Sequence, residues 1–595
     1  MTFGAYRVFG CEGSTFADIM VAAMEMAHKD HMDILNMSIG SAFQWPQYPT
    51  AVASDRLVKR GMVVVASIGN SGTSGTYAVG APGVGEKVIG TASFDNTNAM
   101  APYFEVMGEK IGYIPMSFAD PAPTSGTEEI VYIGLACNDY PLDADPAGKV
   151  ALISRGDCSF YDKAANALAA GATAAVVHNN APGSFNGTLG EYLPVPAVGI
   201  SMEDGLFIRA QAAPIMMTWT DLLFSFPNPT GGLISSFSSY GLAPDLSLKP
   251  DIGAPGGSIF STIPLEQGGY GTKGGTSMAS PHVAGAAALL LEAKPKTAPE
   301  EVRDIFQNSA DPAFWSLAPD YGLLDHVHRQ GAGMLDIDDA ILATTKVTPA
   351  KLALGESEAG PYEVKLTVEN NGLVDVTYEL DYESAVATTG TWAADQDYWL
   401  TDEVVEFQPA TLKVKAGQRR NVRVTITPPT GPDAATYGGY IVLMPDDGGD
   451  AYRVPYAGFV GDYQALPVLD ANPYALPWLM GGPVYTMEGG DYPEIWVNLG
   501  HQTEWLGIEA FDANTGKSMF WVDQVEYMGR NSNYNSYFAW TWDGTTTPGK
   551  EGKRVFTAPD GDYVLVVKVL KALGDKDNPD HWETWTSDVF TIDRP

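Results

Sequence analysis

The first hundred residues alternate apolar strands with helices, and this alternation constrains the fold more than any other feature of the sequence. In the first helical segment, Ile19, Ala22 and Met26 recur at helical spacing. Strands that are separated by helices usually pair in parallel within one sheet. We therefore expect an α/β domain whose parallel sheet is covered on both faces. The predicted strands are GAYRVFG, MDILNMSIG, MVVVASIGN and KVIGTAS, and the predicted helices are TFADIMVAAMEMAHKDH and PTAVASDRLVKRG.

Changes of pattern divide the chain into five segments. The α/β pattern of residues 1–106 is interrupted by a separate βα unit at 107–221 and resumes at 222–343. From residue 344 the sequence has alternating strands such as YEVKLTVEN and NVRVTITP, with Gly, Pro and Asn between them. We expect two all-β sandwich domains there, at 344–462 and 463–595.

Charge and composition disfavour several classes of partner. The 35 basic and 72 acidic residues give a net charge of −37, and nucleic acids and anionic membranes are polyanions that such a chain repels. No apolar run is long enough to span a membrane. The N-terminal MTFGAYRVFG has no signal-peptide pattern, which leaves either a cytosolic protein or a chain that starts further upstream. The sequence does not indicate an oligomeric state.

The stretch GGTSMASPHVAG, at residues 274–285, contains the main candidate for catalytic chemistry. Its small residues predict a helix packed closely against the sheet, with Ser277 at the helix N-terminus, where negative charge is favoured. A serine hydroxyl becomes a nucleophile when a base takes its proton and donors stabilise the resulting oxyanion. For so short a motif the alternative is a serine that only caps a buried helix.

The longer segment GTSMASPHVAGAAALLL resembles the nucleophile segment of the subtilisin-like serine proteases, the subtilases. The resemblance implies that Ser277 is the nucleophile. VVVASIGNSG is similar to the oxyanion strand of the family, which implies that Asn70 donates to the developing oxyanion. ILNMSIG is similar to the strand that pairs with substrate backbone, a mode of recognition that reads extended peptides. The substrate-binding residues implied in this way are Ser38, Ile39, Gly40, Gly69 and Thr276.

The same resemblance covers nearly the whole chain. FSSYGLAPDLSLKPDIGAPG is similar to the loop before the nucleophile, which implies that Asp251 fixes this loop, whereas Ile68 is larger than is usual near the first specificity pocket. The segment ISRGDCSFYDKAANALAAGATAAVV resembles a protease-associated (PA) domain, and the β modules resemble the fibronectin-III-like domains of minor extracellular and cell-envelope subtilases. Some subtilases bind calcium, but the sequence assigns no calcium site, no other metal site and no cofactor.

The three cysteines are Cys11, Cys137 and Cys158. One disulfide and one spare thiol is the natural interpretation of this number, and it favours an oxidising compartment. Within the PA-like insert we expect Cys137 to pair with Cys158. A disulfide that closes a loop of about twenty residues contributes roughly 3 kcal/mol to stability.

The sequence lacks two motifs that the resemblance requires. A subtilase triad also has an Asp in a D[ST]G segment and a His in an HGTH segment, and neither occurs here. His282 lies five residues after Ser277 and so faces about 140° away around the helix. His28 and His31, near Asp33, are interpreted as a solvated helix end. The remaining candidates are interpreted as structural, because His326 and His328 have no third metal ligand and His178 follows an apolar strand, where local groups can bond to it.

We therefore expect a nucleophile and an oxyanion donor without a base. The leading hypothesis is an N-terminally truncated subtilase, nearly inactive as this chain. Its full-length form would be a serine endopeptidase of the extracellular space or cell wall that cleaves proteins and peptides. The alternative is a pseudoprotease that uses the peptide cleft for binding. A third hypothesis is carbohydrate or surface binding by the C-terminal segments YFAWTWDGT and HWETWTS, although their tryptophans fit a sandwich core better.

Overall fold

The computed structural model describes residues 2–10, 13–138, 140–180, 185, 187–469, 476–549 and 554–595. Cys11 lies outside these residues. Contacts divide the described chain into two compact units. The first consists of Met1–Phe94, Ile234–Gly256 and Gly275–Pro595, and the second of Asp95–Leu233 and Gly257–Gly274.

The first unit begins with the predicted α/β domain. Its strands run across the sheet in the order Ile34–Met37, Val63–Ser67, Ile89–Asp95 and Ile252–Gly257. The first three pair in parallel, with Ile34 opposite Val63 and Val65 opposite Ile89, which confirms the predicted parallel sheet. The helices of this domain are Ala17–Lys29, Pro49–Val58, Thr276–Ala293, Pro299–Asn308, Val327–Gln330 and Ile337–Leu342.

The helix Thr276–Ala293 is the central helix of this domain. Its buried side chains are mostly small, among them Ala279, Ala286 and Ala287, and they pack against Val63 and Val65 of the sheet. Small residues let the helix backbone approach the strands closely and bury a nearly continuous apolar surface. This packing fixes the N-terminus of the helix relative to the ends of the strands.

Two predictions for the N-terminal region are wrong. The GAYRVFG segment forms no strand: residues 2–10 have no regular secondary structure and are mostly exposed. A strand needs a neighbour for its backbone hydrogen bonds, and no described strand pairs with this segment. The helix Ala17–Lys29 is present, but it buries Met20, Met24 and Ala27, while the expected face is exposed, with 43% exposure at Ile19 and 56% at Met26.

The next domain of the first unit is a β-sandwich. Val368, Leu380, Val424 and Ile441 belong to the core between its two sheets. One sheet has the strand order Thr345–Thr348, Tyr362–Asn370, Gln418–Thr427 and Val404–Gln408. The other has the order Leu352–Glu356, Tyr452–Phe459, Thr436–Pro445, Val376–Ser384 and Thr411–Val414, with Ala387–Thr389 and Asp397–Trp399 at its side.

The C-terminal domain is also all-β. One sheet has the order Trp478–Met480, Glu494–Val497 and Phe538–Thr541. The other has the order Val484–Tyr485, Phe590–Ile592, Gly561–Lys571, Thr503–Asp512 and Ser518–Met528, with Trp582–Thr586 pairing beside Gly561–Lys571. A short ribbon joins Thr545–Thr546 to Phe556–Thr557. Trp542 is buried in the core, and Trp540 and Trp585 pack against it, in agreement with a structural role for these tryptophans.

The second unit contains the predicted insert together with the strand Asn98–Val106, because this strand pairs with Ile215–Pro227. A disulfide joins Cys137 to Cys158, whose Cα atoms are 5.8 Å apart. The helices are Phe160–Ala169 and Met202–Arg209, and Ile259–Thr262 pairs with Tyr270–Lys273 as a hairpin. The sheet order is Glu109–Gly112, Asn98–Val106, Ile215–Pro227, Gly126–Tyr132, Val150–Ser154, Ala174–His178, Thr188–Ile200 and Ile114–Pro115, with Ser117–Asp120 beside Thr188–Ile200.

Candidate active site

Ser277 lies in the first turn of the central helix, which begins at Thr276. Its Oγ donates to the carbonyl oxygen of Ser38 at 3.3 Å, and the Ser38 hydroxyl donates to the carbonyl oxygen of Ser277 at 2.7 Å. The first N–H groups of a helix have no partner within the helix. Ser277 is half-buried. It therefore lies at a helix N-terminus where the free N–H groups favour negative charge.

The carboxamide of Asn70 is held in one orientation beside the helix N-terminus. Its Oδ1 accepts from the backbone N–H of Thr276 at 2.9 Å and from the Thr276 hydroxyl at 2.8 Å. A backbone N–H can only donate, so the oxygen of the carboxamide must face Thr276 and the NH₂ group must face away. That NH₂ group has no partner among the described residues, and Asn70 as a whole is exposed.

Ser277 and Asn70 line a cleft of about 660 Å³. We call one side of it the catalytic wall, which consists of residues 39–42, 67–71, 276 and 277. The other side, the N-terminal wall, consists of Phe9 and residues 13–17. Among the described residues that line the cleft there is no His, Asp or Glu. Ile68 is fully buried in the catalytic wall.

Ile39 and Gly40 extend the first strand beyond its paired part, which ends at Met37. They line the cleft with Gly69. The next residue, Ser41, exchanges two backbone hydrogen bonds with Ala81, each 3.0 Å long, and so fixes the end of this extension. The arrangement leaves a short extended backbone along the cleft.

A buried ion cluster supports the loop before the helix. Asp251 is fully buried and accepts from Lys249 and Lys351, each at 2.6 Å, and from the backbone N–H of Gly90 at 2.8 Å. Burial opposes ionisation of Asp251, but the charges of Lys249 and Lys351 outweigh it and hold the pKa of the carboxyl well below its usual range. Asp251 thus ties two strands of the sheet together, as expected for a residue that fixes this loop.

Comparison with known proteins identifies the family. A model of the subtilase family (Peptidase_S8) matches residues 1–333, and an Fn3-like domain model matches residues 352–457. The chain belongs to the subtilase family. It is 30% identical to the minor extracellular protease Vpr of Bacillus subtilis, over 95% of this chain and 66% of that protein.

Other relatives of this subtilase are more distant. The PI-type proteinase of Lactococcus lactis subsp. cremoris is 26% identical, over 95% of this chain and 35% of its own length. The C5a peptidase of Streptococcus pyogenes is 26% identical, over 74% of this chain and 40% of its own length. This subtilase therefore spans less than two thirds of the length of each of these relatives.

No described histidine of the subtilase is among the residues that line the cleft with Ser277. His282 is exposed, and its Nδ1 lies 3.1 Å from the carbonyl oxygen of Met278. The side chain of His178 is bonded at both nitrogens, to Ser154 and to the backbone of Asn179. His326 and His328 are fully buried, and burial lowers the pKa of His328 well below its usual value. The structure places none of these rings at the cleft.

The described residues lack two further kinds of site, a metal cluster and a membrane-spanning helix. In this part of the molecule no cluster of three or more His, Cys, Asp or Glu side chains is arranged to hold a metal ion. Among the same residues there is no helix with the length and apolarity that a membrane crossing requires.

Thr276, which was expected to contact substrate, lines the cleft and also holds Asn70 and Gly69. It is fully buried and bonded to Asn70 and to the backbone N–H of Gly69, at 3.3 Å for the latter. Sequence reasoning also missed two contacts that hold the helix N-terminus to the first strand: the mutual bonds of Ser277 with Ser38, and the 2.6 Å bond from Ser280 to Asn36. The paired small polar residues of ILNMS and TSMAS were the only sequence signal for these contacts.

Proposed function

We propose that this subtilase is a serine endopeptidase whose nucleophile is Ser277. The observation that carries the proposal is the joint placement of the Ser277 hydroxyl and the Asn70 amide in one cleft at a helix N-terminus. Attack on a peptide carbonyl creates an oxyanion, and a prepositioned donor in a partly dry cleft stabilises it strongly. The bonds from Thr276 hold the Asn70 carboxamide with its NH₂ group free for this task.

In this proposal the substrate is an extended polypeptide segment. The backbone of Ile39 and Gly40, with Gly69 opposite, offers hydrogen-bonding groups along the cleft. Pairing with substrate backbone gives affinity with little dependence on side chains. Thr276 is buried, so we assign it the positioning of Asn70 and not contact with substrate.

The proposal needs a base from elsewhere, because the described cleft residues do not include one. We propose that a polypeptide segment outside these residues brings a His and its Asp to Ser277. In subtilisin, loss of the base lowers kcat by about 10⁶, and binding and oxyanion contributions remain. This chain alone is therefore expected to react very slowly at Ser277.

A fluorophosphonate probe tests this assignment, with intact-mass and peptide-mass analysis of the labelled chain. We expect slow labelling at Ser277 that exogenous imidazole accelerates, since imidazole can act as the missing base. Ser277→Ala should abolish labelling, while Ser280→Ala, which changes a buried neighbour on the same helix, should leave it detectable. Rapid labelling without imidazole would refute the missing base, and labelling at another residue would refute the nucleophile.

The lack of a described base at the cleft also favours a second candidate, a pseudoprotease that binds extended polypeptides without cleaving them. The two functions predict different fates for an unfolded test protein such as reduced, alkylated lactalbumin. If the chain is a pseudoprotease, the wild type and Ser277→Ala should bind this protein equally well. No new peptide termini should form, even when imidazole is present. An endopeptidase should release fragments only when Ser277 is intact.

We also propose the domain roles and location. Residues 107–221 would be a PA domain inserted between 1–106 and 222–343, followed by β-sandwiches at 344–462 and 463–595. A location outside the cell or in the cell wall is supported by the Cys137–Cys158 disulfide and by the name of the relative Vpr, an extracellular protease. Its substrates would then be external proteins or peptides. Retention of the disulfide in protein isolated from its native compartment, measured by thiol alkylation and mass spectrometry, tests this location.

A further inference from the structure

A short segment of the C-terminal domain, residues 528–531, packs directly against two loops of the subtilase domain. It begins at Met528, the last residue of the strand Ser518–Met528. The Trp45 indole donates to the carbonyl oxygen of Met528 at 2.9 Å. A Cβ on Gly529 would lie 1.8 Å from the carbonyl oxygen of Phe43, so only glycine allows this approach. Trp45 is 2% exposed, which makes this contact part of a core.

Arg530 is the most unusual residue of this segment, because it is a charged side chain with 1% exposure. Its Nε donates to the carbonyl oxygen of Thr76 at 2.9 Å, and its Nη2 donates to that of Ser74 at 2.7 Å. The guanidinium also lies 4.9 Å from the centre of the Phe43 ring. No described carboxylate pairs with it. The buried charge is stabilised by backbone carbonyl groups, so it requires one particular loop conformation.

The two loops contacted by residues 528–531 continue directly from the catalytic wall. Ser41 and Ala42 line the cleft, and the next residues along the chain, Phe43 to Trp45, contain the two that contact residues 528–531. Asn70 and Ser71 line the cleft as well, and the turn Gly72–Ser74 comes next. One arginine therefore touches both the loop after the substrate-pairing backbone and the loop after the oxyanion donor.

The Fn3-like domain holds the same turn from another direction. The backbone N–H of Thr76 donates to the carbonyl oxygen of Thr391 at 3.0 Å. A Cβ on Gly75 would lie 2.1 Å from that oxygen. The turn after Asn70 is thus enclosed by both β-sandwiches, and the sandwiches complete the packing of the catalytic wall.

We propose that Arg530 is a positioning residue for the peptidase cleft, which holds the loops after Gly40 and Asn70 in their working arrangement. The proposal rests on the proposed function for its catalytic meaning. Arg530 touches no substrate and no reacting atom. It holds the backbone of Ser74 and Thr76, and this backbone in turn fixes the position of Asn70.

Hydrogen exchange on the full chain tests the positioning without any need for activity. The amide groups of Gly72, Thr76 and Tyr77 are hydrogen-bonded to Phe237, Thr391 and Gly241, so their exchange requires local opening. In Arg530→Met we expect at least about tenfold faster exchange in a peptide spanning residues 70–78. The central strand Val63–Ser67 should exchange at its original rate. Unchanged exchange in residues 70–78 would overturn the proposal.

Two further variants keep the result interpretable. Arg530→Lys retains the charge and can still donate to the Ser74 and Thr76 carbonyl groups, so it should show a smaller increase in exchange; it also replaces Arg530→Met if that variant does not fold. Arg594→Met is the matched control, because Arg594 belongs to the same domain and pairs with Asp560 at 2.7 Å near the surface. Arg594→Met should leave residues 70–78 unchanged, and an equal increase in this control would overturn the proposal.

The catalytic part of the inference is tested by fluorophosphonate labelling in a double-mutant cycle. If Arg530 acts through Asn70, Arg530→Lys should slow labelling of Ser277 in the wild-type background and have little further effect in Asn70→Ala. Additive effects would overturn a role through Asn70. A wild-type chain that never labels, even with imidazole, would refute the proposed function, whereas the exchange measurement would still decide whether Arg530 positions the loops.

Discussion

The two walls of the cleft differ in how firmly their residues are tied to the rest of the molecule. The catalytic wall consists of residues whose backbone or side chains are tied to distant parts of the chain, through Thr276, Ser41 and the turn held by Arg530. The N-terminal wall includes Phe9 from the apolar segment 2–10, which forms no strand and leaves Phe3 88% exposed. The difference shows that apolar, β-prone sequence becomes ordered only where a partner satisfies its backbone groups.

The largest expected effect concerns the ion cluster behind the catalytic wall. Asp251→Ala would leave the buried amines of Lys249 and Lys351 without their carboxylate. We expect a loss of about 3–5 kcal/mol in the free energy of unfolding, measured by urea titration of the α/β domain. Asp375→Ala is the control, because its partner Lys413 is 60% exposed, and it should cost less than about 1 kcal/mol. Equal losses would show that the cluster does not stabilise this wall.

Acid should loosen the contact between the C-terminal domain and the loop after Asn70. His501 packs against Tyr77 and Tyr463, and burial, with Arg530 and Lys571 nearby, lowers its pKa to about 3. Between pH 6.5 and about 3 the unfolded chain binds a proton that the folded chain does not. Stability should therefore fall as pH falls through this window, by about 2 kcal/mol at pH 5 from this residue.

His501→Phe keeps a ring between the two tyrosines and removes the titration. Urea midpoints at pH 7 and pH 5 should fall less in this variant than in the wild type. The same fall in both would show that His501 is not responsible for the pH dependence.

A smaller effect is expected at the link between the helix and Asn70. Thr276→Val removes the 2.8 Å bond to Asn70 but keeps the backbone donor and the side-chain shape. We expect a loss of about 1 kcal/mol in the free energy of unfolding, together with slower labelling of Ser277. Thr557→Val, an exposed strand position, should change stability by less than about 0.5 kcal/mol and leave labelling unchanged. Normal labelling in Thr276→Val would show that the Thr276 hydroxyl is not needed to orient the Asn70 carboxamide.

The smallest effect should come from residues 2–10, the segment that leads into the N-terminal wall. Phe3 is almost fully exposed, so Phe3→Ser should change the free energy of unfolding by less than about 0.5 kcal/mol. Differential scanning calorimetry compares the two chains. A destabilisation above about 1 kcal/mol would mean that residues 2–10 are held by packing and that the two walls are more alike than their structures indicate.

Local pattern was enough to predict much of the fold. The wholly buried strand Val63–Ser67 and the small-residue helix Thr276–Ala293 both lie where their apolar pattern indicated. The pattern did not reveal which face of the helix Ala17–Lys29 is buried, because Ile19 and Met20 are both apolar and only the neighbouring strands decide between them. Nor could it reveal that residues 2–10 find no described partner strand.

The site was predictable only as far as its motifs extend. The family segments around Asn70 and Ser277 identified the candidates, but their positions on one cleft depend on packing. The burial of Thr276 follows from its bonds to Asn70 and Gly69, and a sequence motif does not distinguish this from contact with substrate. Arg530 gave no signal at all, since an arginine after a strand is ordinarily a solvated residue.

The bond from Arg530 to Thr76 joins residues that are 454 positions apart. A ribosome that adds about 5–20 residues per second needs roughly 20–90 seconds to make the intervening chain. During that time the turn after Asn70 exists without its arginine. The cleft is therefore among the last parts of the molecule to be finished, and Ser277 is made well before the loops around it are locked.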